Sequence, residues 1–594
     1  MKKFFLNLLS SFMGAWIAIV LSGVVAVIII FSLVGGVVGG SVESVKDGCI
    51  LRIGLDGEIV ERDMSSQIDV MSLLKKDFNT PQSVSTLVTA INEAATDNRV
   101  KSIYLDCGYL SASPASLHAI RNALLEFKTS KKKIYAYADV MTQGAYFVAS
   151  VADEISLNPA GNFNLRGLGG QSLFYKGLFD KVGVSFQAVR VGKGKAAVEP
   201  YTADTMSQVA RAQNIALLDT LWIQMRREIA SSRNAVTPAL IDTLIDRDYI
   251  SSKPASFAVS NKLVDKLEYR HVFEDRIAKL AKQDDGLENV VTPSALVAAS
   301  ATMSENVGAS NQIAVLYASG GIDDFMGSGG ISSPDMVDQI LELSKNDDVK
   351  ALVLRVNSPG GSAFGSEQMW EALETFKKTG KTFVVSMGDY AASGGYYISC
   401  GADRIFADPF TITGSIGIFG LIPNIKGLVD KIGLSVQTVA TNPNGLYPAV
   451  FTPMDEQQLA AMQAMVEDGY NLFVKRVAEG RKLPVAKVKE VADGRPLSAV
   501  VARGHGLVDD LGSLQNAIDW AKKKAKVERE NVVIYPKPDM NFVKLMGSIN
   551  ESVLFKLLSA DDPAALGEEA VFVLQNMFDR DMVMARMYPF EVKL

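Results

Sequence analysis

Ser393 stands in the run GDYAASGGYYISCGADRIFA (388–407), preceded by two alanines and followed by two glycines. A hydroxyl among such small side chains is either part of a tight turn or a nucleophile that needs bare backbone N–H groups beside it. Two other stretches supply what such a nucleophile would need. NSPGG (357–361) places paired glycines after an apolar run, and RVGKGKAAVEPY (190–201) carries Lys193 and Lys195 among small residues. Serine attacks well only when a base takes its proton. The histidines His118, His271 and His505 fall in none of these stretches. A lysine can serve instead once burial disfavours its charged form. An acyl-transfer oxyanion would then be held by the N–H of Gly394 together with that of Gly360 or Gly361.

Taken singly, each stretch also has a plain structural reading as a turn or a solvated lysine. An internal repeat changes their weight, because the chain is written twice. Residues 99–159 read like residues 348–409, and LFDKVGVSFQAVRVGKGK (178–195) reads like LVDKIGLSVQTVATNPNG (428–445). The offset stays at about 250 residues throughout. Where the second copy has Ser393 the first has Gln143, and where the second has NSPGG the first has GYLSA (108–112). Conversely, Lys195 faces Gly445 and Lys193 faces Pro443. Each copy lacks what the other keeps. The complementarity points to a serine–lysine pair assembled across the two halves, a known variant of the serine–histidine arrangement. In TGSIGIFG (413–420), Ser415 faces Leu165 of the first copy. It either orients the lysine through a hydrogen bond or is a structural turn serine.

The elements that must position these residues follow from local pattern. KALVLRV (350–356) and KTFVVSMG (381–388) read as short buried parallel strands. Between them Ser366 would cap a helix over EQMWEALETFKK, whose Met369, Trp370, Leu373 and Phe376 recur at helical spacing and form a core stripe. Alternation of strand and helix predicts an α/β fold with right-handed crossovers and a site at strand C-termini. The expected organisation is an N-terminal domain over 46–285, a linker over 286–309 rich in small and polar residues, and a second domain over 310–540. Residues 541–594 carry no assignable motif.

Composition excludes several classes. With 60 basic and 66 acidic side chains the net charge is −6, which leaves no basic footprint for nucleic acid. Cys49, Cys107 and Cys400 have no paired spacing, so neither a zinc site nor a disulfide framework is indicated, and no metal or cofactor is expected. After Lys2 and Lys3 no charged residue occurs before Glu43, and the apolar run over 12–34 is long enough to span a bilayer. Residues 1–45 are therefore expected to be a retained single-pass anchor rather than a cleaved signal. The two lysines would stay on the cytoplasmic side and the domains would face the other.

In chain order, this anchor, GKAAVEP, RVNSPGGS, GDYAASGGYYIS and TGSIGIFG resemble the signal peptide peptidase A family (protease IV) in its long, duplicated, membrane-anchored form. The resemblance covers most of the chain. It implies two tandem crotonase/Clp-protease-like domains of repeated ββα units, with Ser393 as nucleophile and Lys195 as general base; Lys193 lies outside the matched position. It also implies a homotetramer on the outer, periplasmic face of the cytoplasmic membrane, acting on hydrophobic signal-peptide remnants. The uncharged run after Ser415 would give the specificity pocket an apolar wall. Two rival readings are a crotonase-type acyl-CoA enzyme, which shares the glycine oxyanion hole, and a non-catalytic membrane scaffold.

Overall fold

The computed structural model describes residues 45–62, 82–283, 286–301, 311–325, 330–527, 531–536 and 583–586. The expected anchor lies outside these residues. Among the described ones, no helix is long and apolar enough to cross a membrane.

In the first half, β1 (Cys49–Val60), β2 (Val100–Ser111), β3 (Lys133–Met141) and β4 (Glu154–Phe163) lie side by side and parallel. Their connections carry α1 (Val84–Thr96), α2 (Pro114–Phe127) and α3 (Gln143–Ala149). The strands are apolar on both faces because helices cover the sheet, as parallel strands require. Ile53, Ile103, Leu105, Ile134 and Ile155 are all fully buried. The chain then leaves the sheet as an arm, β5 (Ser185–Arg190), and returns through the long helix α4 (Gln208–Ser232).

The expected linker is in part structure. Val290–Val291 pairs with Ile50–Leu51 of β1, and α5 (Pro293–Ala301) buries Leu296 against α1. Thr292 caps this helix by accepting from the N–H of Ala295, and proline suits its first turn. The small residues that suggested a spacer instead let the helix lie close. Residues 302–310, the rest of that stretch, lie outside the described ones.

The second half repeats the plan. A parallel sheet contains β6 (Gln312–Ser319), then after α6 (Ser333–Lys345) β7 (Val349–Ser358). A short strand β8 (Gly360–Ser362) leads into α7 (Ala363–Lys378), followed by β9 (Thr382–Ala392), α8 (Gly394–Tyr397) and β10 (Ile412–Gly414). Met369, Trp370, Leu373 and Phe376 are buried on α7 as the stripe predicts. The cap differs. Ser362 caps α7 by accepting from the N–H of Gly365 at 3.0 Å, and Ser366 sits one turn inside, donating to the Ser362 carbonyl at 2.6 Å. The helix starts earlier because β8 ends directly at Ser362.

Matched hydrogen bonds show the duplication at atomic level. The Asp153 carboxylate accepts from the N–H of Ile134 and that of Asp403 from Phe383, each at 2.9 Å. The Tyr146 hydroxyl donates to the Leu263 carbonyl at 3.1 Å, and that of Tyr396 to Leu507 at 2.9 Å. Each half has its own core.

A third sheet joins the halves. Arm β5 pairs antiparallel with β11 (Phe419–Asn424) over six residues, from Ser185↔Asn424 to Arg190↔Phe419. Arg355 of β7 donates to Glu61 at 2.7 Å, and Asp408 meets Nδ1 of His118 at 2.6 Å, both across the same junction. The second-half sheet is completed by β12 (Asn531–Tyr535) on β6. From the C-terminal region beyond 540, β13 (Val583–Arg586) lies antiparallel between β8 and β11.

Candidate active site

Ser393 follows the C-terminal end of β9, where open α/β sheets place their sites. Its backbone has φ 56° and ψ −115°, a conformation that costs a non-glycine residue about 1–3 kcal/mol and that clusters at functional sites. The bend is held by the N–H of Ser393, which donates to the Gly414 carbonyl at 2.8 Å. The glycines after it are there for close approach. A Cβ on Gly394 would lie 2.6 Å from Ser366 Oγ and 3.2 Å from the Gly361 nitrogen, and one on Gly395 would lie 2.6 Å from the Ser358 carbonyl oxygen. Gly361 therefore packs closely against Gly394, the residue after Ser393. The N–H of Gly360, by contrast, donates to Ser358 Oγ at 3.2 Å. Of the two glycines proposed from sequence, Gly361 is the better placed to meet an oxyanion.

Lys195 arrives from the other half. The pairing of β5 with β11 delivers residues 191–195 to the second-half site. There the chain threads past the turn Asp493–Gly494–Arg495. The N–H of Gly194 donates to the Asp493 carbonyl at 2.8 Å, and a Cβ on Gly192 would lie only 2.3 Å from that same oxygen. Gly494, at φ +90°, lies so close that a Cβ on it would be 2.6 Å from Lys195 Cβ. The lysine is 1% exposed. Its Nζ lies 2.7 Å from Ser393 Oγ and donates to the carbonyl and Oγ of Ser415 at 3.0 and 3.1 Å. Lys193 is exposed.

Burial pushes the Lys195 ammonium well below its ordinary value. A neutral amine has two N–H groups and one lone pair. Ser415 takes both N–H groups, since its own hydroxyl is turned to donate to the Gly494 carbonyl at 3.1 Å. In its neutral form the lysine would then present its lone pair to Ser393. Ser415 also has positive φ, at 53°, and its N–H donates to the Arg495 carbonyl at 2.9 Å. It is thus both a strained turn serine and the lysine's partner, the two alternatives the sequence left open. The Asp493–Arg495 turn fixes both residues, and sequence reasoning missed it. Its only signal was a DGR turn in a motif-poor stretch.

In the first half, Gln143 occupies the position equivalent to Ser393. Its Oε1 accepts from the N–H groups of Arg166 and Gly167, both at 2.9 Å, and its Nε2 donates to the Gly167 carbonyl at 3.1 Å. Gly445, the counterpart of Lys195, is exposed. One complete serine–lysine pair is therefore formed per chain among the described residues.

Peptidase family S49 matches residues 126–284 and 375–528, once in each half, and the Clp protease family matches residues 328–408. Protease 4 of Haemophilus influenzae is 34% identical over 499 residues, covering 82% of this chain and 81% of its own. Protease 4 of Salmonella typhi is also 34% identical, covering 79% of this chain and 76% of its own. The chloroplastic serine protease SPPA of Arabidopsis thaliana is 27% identical, over 86% and 75% of the two chains. Among solved structures, ClpP1 from Listeria monocytogenes aligns with 34% of this chain and 92% of its own at 16% identity and TM-score 0.22. The family match in both halves and these relatives favour a peptidase over the acyl-CoA and scaffold readings: the chain belongs to peptidase family S49 and is a serine protease.

Proposed function

We propose that this protease is a membrane-anchored endopeptidase that cuts hydrophobic peptides, signal-peptide remnants in particular, with Ser393 as nucleophile and Lys195 as general base. The observation that carries the reading is the buried 2.7 Å contact between Lys195 Nζ and Ser393 Oγ. Neutral Lys195 takes the hydroxyl proton while Oγ bonds to the scissile carbonyl carbon. The oxyanion is met by the N–H groups of Gly394 and Gly361. The lysine's new proton goes to the leaving amine as the C–N bond breaks. Water then enters through the same base and releases the acyl group from Ser393. Ser415 keeps the amine aimed at the serine through both steps.

The substrate class is supported by an edge-lined groove between β8 and β11, which takes a polypeptide as an extended antiparallel strand, as it does β13. Main-chain pairing of this kind is tolerant of sequence and suits unfolded apolar segments. Placement on the outer, periplasmic face of the cytoplasmic membrane is supported by the uncharged apolar run over 12–34 and the two lysines before it.

Self-association is supported by the repeat. β5 and β11 pair within one chain, yet their counterparts, 435–440 and 169–174, lie in no strand and stand largely open to solvent. A second copy satisfies both edges head to tail. Such contacts close into a ring when the rotation allows, and the family form implies four copies.

The reading is tested by incubating wild type, Ser393→Ala and Lys195→Ala with a leucine-rich peptide and an acylating active-site probe. Cleavage and probe mass on the Ser393 peptide are expected for wild type alone. Turnover by folded Ser393→Ala would sink it.

A further inference from the structure

We propose that the first half keeps a second peptide groove that holds an extended apolar polypeptide without cutting it. The proposal rests on the peptidase reading above. A cavity of about 670 Å³ opens in the first half between the end of β2, at Tyr109, Leu110 and Ser111, and the segment Gly167–Gly169. The repeat identifies what this cavity is. Ser111 corresponds to Gly360 of β8, and Gly169 corresponds to Phe419 of β11. Those second-half residues are the two edges between which β13 lies, Gly360 opposite Arg586 and Phe419 opposite Met584. The cavity thus lies between the first-half counterparts of the two groove edges, although 169–174 is not itself in a strand. In the second half the groove contains an extended strand paired on both sides, and that occupant defines the ligand class for the first.

The chemistry of the two grooves differs at the floor. Where the second has a strained serine beside a buried lysine, the first has Gln143 with its amide spent on Arg166 and Gly167. No nucleophile or base is presented there by the residues that replace Ser393 and Lys195. The same hydrogen bonds brace one wall of the cavity, so the substitution removes cutting while keeping the wall in place. Tyr109 stands at the opposite wall with 73% of its surface exposed, an aromatic face open to an apolar side chain. The bound species is a main-chain-paired, apolar, extended polypeptide. Holding one part of a long substrate here raises the effective concentration of the rest at Ser393. Long peptides gain from the second grip and short ones do not.

The test uses the full-length Ser393→Ala protein, which binds without cutting, and a blocked 15-residue leucine-rich peptide carrying one photoreactive residue. Calorimetric titration should show a peptide bound with crosslinks at residues 109–111 and 166–169, and another one beside β8 where it displaces β13. Adding Tyr109→Asp removes the exposed aromatic face from the groove wall. It should weaken the second site at least tenfold while leaving the first unchanged. In the Ser393-containing protein, Tyr109→Asp should raise KM for the long peptide and leave a four-residue peptide unaffected. One peptide per chain, with crosslinks confined to the β8 and β11 edges, overturns the proposal. Crosslinks from the first groove to residues 434–447 of a second copy also overturn it, making the cavity a contact between copies. If wild type leaves the same peptide uncut while Ser393→Ala binds two, the peptidase reading fails and the second groove stands.

Discussion

Lys195 and Ser393 are 198 residues apart in the chain and 2.7 Å apart in space. The contact exists because an arm from one half pairs with a strand of the other, so the junction between the halves is part of the site. Ser393→Ala and Lys195→Ala should each lower kcat by a comparable factor, about 10³ or more, and the double variant should lose little further, since the groups act as a unit. Lys193→Ala should stay near wild type, because that side chain is exposed. Steady-state cleavage of one reporter peptide by the four variants decides this.

The pH dependence has a definite sign. Only neutral Lys195 can take the serine proton, so kcat/KM should rise with pH through the lysine's depressed value and then level off. The same depression is a stability statement. Between that folded value and the ordinary 10.5, the unfolded chain carries a proton that the folded chain lacks, so stability rises with pH across this window. Lys195→Met removes the titration. Its Tm should exceed that of wild type most at the acid side of the window, the gain shrinking as pH approaches 10.5. A constant Tm difference across pH would contradict a buried neutral lysine.

Gly494→Ala should disable the site while leaving the fold. At φ +90° the alanine is strained, and its Cβ would meet the Lys195 nitrogen at 2.7 Å and Cα at 2.8 Å, backbone atoms that cannot swing aside. Displacing the base by about 1 Å is expected to cost roughly 100-fold in kcat. KM should change little, because Gly494 belongs to the lysine's support and not to the groove. The pH midpoint of kcat/KM should also move up as the lysine gains water. Unchanged kinetics would show that the turn does not fix the lysine.

Sequence made the site legible where the two copies differ, and hid it where contact is made by backbone. Ser393 against Gln143 and Lys195 against Gly445 stand out because equivalent positions were chemically unequal. The Asp493–Arg495 turn could not be found that way, since it acts through a carbonyl and a missing Cβ. The parallel strands were legible from continuous apolar runs such as KALVLRV. The helix Pro293–Ala301 was not, because alanine and serine suit a spacer and a closely packed helix alike. β13 escaped notice for a related reason: pairing with an edge needs an extended backbone, not a motif.

The junction also contains a charge with no water to turn to. Arg355 is buried, donates to Ser386 and the Met387 carbonyl within its own half, and relies on Glu61 of the other for a counter-charge. Glu61→Gln keeps the shape and removes the charge. Breaking a buried pair from one side typically costs about 3–5 kcal/mol, so a clear fall in Tm is expected. Activity should fall with it, because the arm carrying Lys195 crosses this junction. Replacing both residues, Glu61→Gln with Arg355→Met, should recover much of the lost Tm if the cost lies in the orphaned charge.

Assembly and catalysis should separate. Residues 435–440 match the arm β5 but pair with no strand among the described residues, and Val439 is 93% exposed. An open edge with valines at Val436 and Val439 is a ready template for another chain. If the proposed ring forms through this segment, Val436→Asp with Val439→Asp should reduce the full-length protein to single copies, read by light scattering in detergent. The lysine in contact with Ser393 comes from the same chain, so on the proposed mechanism the separated copies should still cut a four-residue reporter at near the undissociated protein's rate per chain. A long peptide that spans more than one groove should suffer more. If the single copies are inactive toward the short reporter as well, a neighbouring copy must be needed to hold the arm β5 in place, and the site would be complete only in the ring.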